Sequence, residues 1–267
     1  MVFSAFQLQT FPATLRKLAY GHGLTENMMG RSLLWLAASI PPLMLAACTA
    51  QQVPTSNEEN NALCRMLPGK SEAIRSSKSG IQYLPPSFGK VMHICKFKGY
   101  PECFPKISNF ESEWYSNHWE AATEPSLFEI SNAQKYAGDS VLRFTWLPTF
   151  HHPVIVRFET SAGTTNFIAK ELSGAGGYEP GSISRQINRK LSSLEAHQVE
   201  RAMARASPFN EPPENCGGGT DGSRWILERA RKGSYEYADR WSPQKGAMRD
   251  FGLLTLKLTG WEFEEIY

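Results

Sequence analysis

The chain has 267 residues and is nearly neutral, with 28 Lys and Arg residues against 26 Asp and Glu residues. A charge balance of this kind gives no general electrostatic reason to bind nucleic acid or an anionic lipid surface. Aromatic residues make up 12% of the chain, which supports a real hydrophobic core.

A short apolar run near the N-terminus predicts a secretory signal. It covers Ser32–Leu45, follows Arg31 and ends at the small residues Ala46-Ala47. At about 14–16 residues it is shorter than the roughly 20 that a transmembrane helix requires. Pro41-Pro42 also removes amide donors that such a helix would need. We therefore expect residues 1–47 to be a signal peptide that is removed from the mature protein.

The tetrapeptide Leu45-Ala46-Ala47-Cys48 closes that run and resembles the lipobox of bacterial lipoproteins. The resemblance implies cleavage before Cys48, a diacylglyceryl thioether on its sulfur and acylation of the new amine. Two or more acyl chains give stable membrane anchoring, whereas one gives only marginal binding. Thr49 stands where inner-membrane lipoproteins have aspartate, which implies an outer-membrane anchor. The alternative is an ordinary signal peptide that leaves Cys48 as a free thiol.

Composition also predicts the boundaries of the mature domain. Residues 1–27 fit neither a signal peptide nor a domain, so we expect translation to start at Met28 or Met29. Residues 48–61 are polar and lack periodicity, which predicts a flexible lipidated tether. Residues 62–267 then form a single α+β domain. Loss of residues 1–47 removes three basic and one acidic residue, which leaves 25 of each and no net charge.

Four cysteines remain besides Cys48, and an even number in an oxidising compartment predicts two disulfides with three possible connectivities. Cys95 and Cys103 flank a predicted turn, which favours that pair. Cys64 with Cys216 then follows by elimination. No pair of cysteines, or of cysteine and histidine, has zinc-ligand spacing, so these residues predict no metal site.

Alternating apolar residues after Ser140 predict an antiparallel sheet with one buried face. The alternation covers Val141–Leu147 and Val154–Phe158, and a third strand is expected over Thr165–Leu172. Apolar residues at helical spacing then predict a helix over Ser184–Ala206.

The C-terminal part of the sequence predicts a β-hairpin followed by a second helix. Arg224–Ala230 and Tyr235–Trp241 flank a four-residue loop. Ser242-Pro243 has the pattern of a helix N-cap and first residue, before a helix over Gly246–Leu258. The stretch Asp221–Lys257 resembles a segment of bacterial proteins of unassigned function, which implies no activity. These elements predict the α+β class, with an antiparallel sheet of about five or more strands and two helices packed on one face.

A predicted helix over Asn109–Ala122 carries the candidates for chemistry, which are Glu111, Glu113, His118 and Glu120. A histidine–carboxylate pair can perform general acid–base catalysis, and paired glutamates beside tryptophans are typical of glycan-cleaving sites. The alternative is a simple packing face, because aromatic residues recur through the same segment.

The remaining motifs indicate no metal or cofactor. His151-His152 lies in a turn without a nearby acidic partner, which predicts surface histidines. The glycine-rich stretch 216–223 lacks the lysine and the strand-to-helix context of a phosphate loop, so we interpret it as a connector. The hairpin contains aromatic residues of the types that anchor interfaces and also occur in ordinary strands: Trp225, Tyr235, Tyr237 and Trp241.

The sequence therefore favours a non-enzymatic lipoprotein, held in the outer membrane by its lipid and facing the periplasm. Its domain is expected to bind a protein or cell-wall partner, as an inhibitor, an immunity protein or a structural component. The alternative is a peptidoglycan- or glycan-modifying enzyme that uses the Glu/His cluster. Convergence of those side chains in an open cleft would favour the enzyme, and their burial against the sheet would oppose it.

The lipobox gives the first testable prediction. Cys48→Ser removes the sulfur that would accept the diacylglyceryl group. We expect it to abolish labelling with radioactive palmitate and to leave the unprocessed precursor on a gel. Labelling that persists in the variant would refute the lipobox.

Overall fold

The computed structural model describes residues 64, 72–97, 100–133, 140–205, 208–209 and 219–267. They belong to one compact unit, Gln52–Tyr267. The predicted signal peptide, Cys48 and the tether lie outside the described residues and stay predictions. No helix of the described residues is long and apolar enough to cross a membrane.

The described strands form two antiparallel sheets. The smaller is a hairpin of β1 (Met92–Phe97) and β2 (Tyr100–Pro105). The larger has six strands in the order β6-β5-β4-β3-β7-β8. Its members are β3 (Ser140–Pro148), β4 (Val154–Ser161), β5 (Thr164–Leu172), β6 (Ile183–Lys190), β7 (Ser223–Arg231) and β8 (Ser234–Trp241).

Helices cover both faces of the larger sheet. They are α1 (Asn109–Ala121), α2 (Leu127–Asn132), α3 (Ser193–Arg205) and α4 (Ala247–Leu258). On one face α4 packs over β3 and β7 and α3 packs against α4, and Val199, Met248 and Phe251 join the apolar core there. The predicted α+β class and the two helices on one face are confirmed.

The expectation of a single buried face is wrong. Residues 141–148 of β3 are all buried. The second face lies under α1, α2 and the segment 72–91, with Tyr83, Tyr115 and Trp119 in its core. Successive side chains of β3 therefore point into two different buried environments. One is apolar, and the other also contains polar side chains.

The predicted helix over Ser184–Ala206 is wrong in its first half. Residues 183–190 form the edge strand β6, which pairs with β5, and the helix begins only at Ser193. Ile187 lies opposite Ala169 in this pairing. Backbone pairing with β5 thus determines the conformation of a polar segment whose few apolar residues also fit a helical period.

The hairpin of β7 and β8 is confirmed, but its connection has two residues, Lys232-Gly233, instead of four. Gly233 has a φ of 73°, a left-handed conformation that glycine adopts without strain. The prediction that Ser242-Pro243 caps the last helix is wrong, since α4 begins after Gly246. The Ser242 hydroxyl instead accepts a hydrogen bond from the Ser223 amide at 2.9 Å and closes the end of the hairpin.

The predicted disulfide between Cys95 and Cys103 is wrong, because Cys103 is bonded to Cys64. In the β1–β2 register Cys103 lies opposite Ile94, and Cys95 lies opposite Glu102. The pairing of Cys64 with Cys216, which rested on elimination, is wrong for the same reason. Cys216 itself lies outside the described residues.

A network of buried charges joins the sheet to the connection between α1 and α2. Arg143 of β3 and Glu228 of β7 are directly opposed, fully buried and bonded twice, at 2.7 and 2.9 Å. Glu124 accepts hydrogen bonds from Arg157 and Lys170, each at 2.8 Å. Arg143 also donates to the carbonyl of Pro125 at 2.8 Å. This network fixes the end of α1 to the centre of the sheet.

The network predicts an asymmetric effect of mutation. Arg143→Met leaves the Glu228 carboxylate buried without its partner, which should lower the free energy of unfolding by about 3–5 kcal/mol. The double variant Arg143→Met/Glu228→Met should be more stable than the single one, because no charge is then stranded. Urea unfolding measures both. Arg185→Met, at a half-exposed ion pair with Glu171, is the control and should change stability by no more than about 1 kcal/mol.

Candidate functional site

Most of the exposed aromatic rings of the described residues lie at one end of the large sheet, together with a group of half-buried charged side chains. β3 and β8 end there, and β4 and β7 begin there. The N-terminus of α1 reaches the same end, where the Glu111 carboxylate lies 3.3 Å from Nη2 of Arg224. This end of the sheet is the candidate site.

Local sequence explains why α1 begins at this end. The Ser108 hydroxyl accepts a hydrogen bond from the Glu111 amide at 3.1 Å. Oε2 of Glu111 accepts one from the Ser108 amide at 2.9 Å. This reciprocal capping satisfies amides that the first helical turn leaves free. It also leaves Oε1 of Glu111 directed towards Arg224.

Arg224 is the centre of the cluster, which we call the Arg224 cluster: Arg224, Asp239, Glu111, Tyr115 and Tyr237. Asp239 of β8 accepts a hydrogen bond from Nη1 of Arg224 at 2.9 Å. The side chains of Arg224, Asp239 and Glu111 are 14%, 21% and 25% exposed, so solvent reaches all three. Burial raises the pKa of Asp239 even though Arg224 opposes the shift.

The two tyrosines bring buried hydroxyls to this cluster. Within the described residues neither the Tyr115 nor the Tyr237 hydroxyl has a hydrogen-bond partner, and Nε of Arg224 has none either. Burial raises the pKa of both tyrosines well above 10.0. Each hydroxyl therefore stays protonated and can both donate and accept a hydrogen bond.

His93 and Lys106 add charge-bearing groups from the side of the small sheet. The Lys106 ammonium lies 4.0 Å from the ring centroid of Phe88 and 5.5 Å from that of Tyr237. Burial lowers the pKa of Lys106 and of His93. Burial therefore favours the neutral form of His93.

Four aromatic rings, three of them exposed, lie at the same end of the sheet, and we call Phe110, Trp114, Phe150 and Tyr178 the aromatic rim. Phe110, Phe150 and Tyr178 are 76%, 57% and 64% exposed. The rings of Phe110 and Trp114 lie 6.3 Å apart and those of Phe150 and Tyr178 lie 6.4 Å apart. The Trp114 indole donates to the carbonyl of Gly176 at 2.7 Å, which links the two ring pairs through the loop that carries Tyr178.

The four residues predicted on α1 do not form one site. Only Glu111 joins the Arg224 cluster, while Glu113 is paired with Lys78 at 3.2 Å on the surface. Glu120 accepts a hydrogen bond from Ser79 at 2.5 Å near the other end of the helix. His118 is fully buried, and its Nδ1 donates to the carbonyl of Trp114 at 2.9 Å. The proposed Glu/His cluster is therefore separated into four environments.

The aromatic residues predicted as a binding surface on the hairpin are largely in the core. Trp225 is fully buried against α4, where a Cβ at Gly252 would lie 2.2 Å from its ring. Tyr237 is 7% exposed, and the Tyr235 hydroxyl donates to Glu228 at 2.8 Å. Trp241 is half-buried, and its ring centroid lies 5.4 Å from the Arg224 guanidinium. Of the four, only Trp241 presents a partly exposed ring at the site, while Tyr237 contributes a buried hydroxyl there.

The described residues contain no group of three or more His, Cys, Asp or Glu side chains that could hold a metal ion. His151 shares a hydrogen bond of 2.9 Å with the Tyr267 hydroxyl, and His152 is exposed. Comparison of the sequence with protein-family models and with curated proteins finds no match.

Sequence reasoning missed Arg224 and Asp239, although the predicted hairpin contained the signal for them. Its register places Asp239 opposite Ile226, two residues from Arg224, so the two charged side chains share one face of the sheet. Their link to Glu111 could not be found, because it depends on how α1 crosses the sheet.

The burial of His118 gives a pH prediction. Burial lowers its folded-state pKa below 6.5, so in acid the unfolded chain binds a proton more readily than the folded protein does. The free energy of unfolding should fall as the pH drops from about 7.5 to about 5.5, and His118→Gln should make that fall shallower by up to about 1 kcal/mol. Urea unfolding at both pH values measures the slope, and the exposed His152→Gln is the control. A His118→Gln slope equal to that of the wild type would contradict the prediction.

Proposed function

We propose that the protein is a lipoprotein of the bacterial outer membrane, anchored through Cys48, whose periplasm-facing domain binds a protein or cell-wall partner at the aromatic rim. The role is a binding one, of the kind that an inhibitor, an immunity protein or a structural component has. The observation that carries the proposal is the exposure of Phe110, Phe150 and Tyr178 at one end of the sheet.

Exposed rings grouped in this way are unusual on a surface without a partner. Large exposed apolar patches with polar surroundings mark interaction sites, whereas single exposed apolar residues need no explanation. Aromatic residues are enriched among those that contribute most to binding. Here three exposed rings and the half-buried Trp114 lie at the end of the sheet that also carries the charges of Glu111 and Arg224.

The rigidity of the rim also supports binding. Trp114 belongs to a capped helix and is hydrogen-bonded to the loop that contains Tyr178. That loop is in turn hydrogen-bonded to the end of β3, because the Gly177 amide donates to the carbonyl of Thr149 at 3.2 Å. Rings held in place before binding lose little conformational freedom when a partner docks.

A glycan-modifying enzyme remains the second candidate function, on one specific observation. Glu111 and Asp239 both contact Arg224 and both remain accessible to solvent. Most glycoside hydrolases use a pair of carboxyl groups for catalysis. Release of soluble fragments from isolated cell wall, abolished by Glu111→Gln, would favour the enzyme over the binding domain.

The binding proposal predicts a selective loss of partner capture. Phe110→Ser and Tyr178→Ser remove exposed rings without opening the core. Each should reduce capture from detergent-solubilised envelope, or sedimentation with isolated cell wall, by about tenfold or more. The assay compares these variants with the wild type by quantitative blotting of the full-length chain.

The control is Leu194→Ser, because Leu194 is 67% exposed but lies where α3 follows the far end of β6. It should leave capture unchanged. Equal capture by the wild type and both rim variants would contradict the proposal, and so would an equal loss in Leu194→Ser.

A further inference from the structure

Three buried polar atoms without a hydrogen-bond partner among the described residues belong to the Arg224 cluster. The hydroxyls of Tyr115 and Tyr237 and the Nε of Arg224 lack hydrogen-bond partners among the described residues. Tyr115 is fully buried and Tyr237 is 7% exposed. A buried polar group without a partner destabilises a fold, and such groups are rare unless water or a ligand supplies the missing bond.

Phenylalanine would fill both tyrosine positions without an unpartnered hydroxyl. Nothing in the packing requires the two hydroxyls, since neither makes a hydrogen bond to the described residues. A residue that destabilises a fold and makes no compensating structural contact is expected where a protein binds a ligand or catalyses a reaction. The two hydroxyls therefore point to a ligand.

The mixture of hydrogen-bond donors and acceptors in the cluster favours a ligand that carries hydroxyl groups. The carboxylates of Glu111 and Asp239 lie among the cationic side chains of Arg224 and Lys106, and Arg240 also acts on Asp239, so charges of both signs are interleaved here. Burial favours the neutral form of His93, which also faces Asp239. Carboxylates that accept hydrogen bonds, a guanidinium that donates them and tyrosine hydroxyls that do both can match the hydroxyl groups of a ligand.

Flat apolar surfaces stand beside these polar groups. The Trp241 ring covers the Arg224 guanidinium, and a Cβ on Gly222 would come within 2.8 Å of that ring. Phe110 adjoins Glu111 and packs against Trp114. A sugar ring has a C–H face that can stack on an aromatic ring, and it carries hydroxyl groups around its edge.

We propose that the Arg224 cluster binds a sugar unit of a glycan, whose hydroxyls bond to Tyr115, Tyr237 and Arg224. This inference rests on the proposed function and deepens it, because it makes the partner at the aromatic rim a cell-wall glycan and not a protein. The sugar supplies the hydrogen bonds that the two tyrosines lack.

The test uses the full-length chain in detergent and chitotetraose, a neutral tetramer of N-acetylglucosamine, as the probe in isothermal titration calorimetry. Tyr115→Phe and Tyr237→Phe should each weaken binding by about tenfold, as expected for one lost hydrogen bond in a buried site. Both variants should also raise the melting temperature, because each removes an unpartnered hydroxyl.

Tyr83→Phe is the matched control. Tyr83 is equally buried, but its hydroxyl donates to the carbonyl of Glu124 at 2.9 Å. Its replacement should lower the melting temperature and leave the affinity for chitotetraose unchanged. The opposite changes in stability distinguish an unpartnered hydroxyl from a structural one.

Absence of chitotetraose binding to the wild type, or equal binding by the wild type and the Tyr115→Phe and Tyr237→Phe variants, would overturn the inference. If the rim captures a protein partner while chitotetraose does not bind, the proposed function holds and the sugar assignment fails. If the rim variants also capture as well as the wild type, both proposals fail.

Discussion

The bidentate pair of Arg143 and Glu228 at the centre of the sheet is the interaction on which the arrangement depends. Both side chains are fully buried, so each charge needs the other, and removal of one strands its partner in a medium that solvates it poorly. The Arg143 guanidinium also lies 4.3 Å from the ring centroid of Trp119 on α1. A single arginine therefore links two neighbouring strands to the helix above them.

Glu124 extends this constraint beyond the sheet. It follows α1 in the chain and binds Arg157 of β4 and Lys170 of β5, and it lies 4.0 Å from Arg143 of β3. The end of α1 is therefore tied to three adjacent strands. With its C-terminal end held there, the helix can reach the loop end of the sheet with its N-terminal turn. Glu111 meets Arg224 in that turn, and Tyr115 follows one turn later. The buried charges thus position a site whose charged members, Arg224, Asp239 and Glu111, are partly exposed.

The sequence predicted the parts of this structure that depend on local periodicity. The apolar alternation of β3 and β4, the β7–β8 hairpin and the extent of α1 all follow from short-range patterns. The edge strand β6 did not, because a polar strand is determined by its neighbour and not by its own side chains. The Cys64–Cys103 bond was missed because cysteine spacing does not reveal which segments fold together.

Prediction of the site was limited for the same reason. Glu111 could be named as a candidate, whereas Arg224 and Asp239 looked like ordinary strand residues until α1 was placed across them. The exposure of Phe110 and Tyr178 likewise depends on tertiary packing. A sequence pattern can indicate which residues are able to bind, but the crossing of α1 over the sheet decides which of them meet.

Amide hydrogen exchange in a Glu124→Gln variant tests most directly whether the buried charges position α1. The substitution keeps the size of the side chain and removes its charge. The account predicts that amides of α1 exchange about tenfold faster or more, as a loss of about 1.4 kcal/mol or more in local stability requires. Amides of α4, on the opposite face, should keep their wild-type rates. Unchanged exchange in α1, or equal acceleration in α1 and α4, would contradict it.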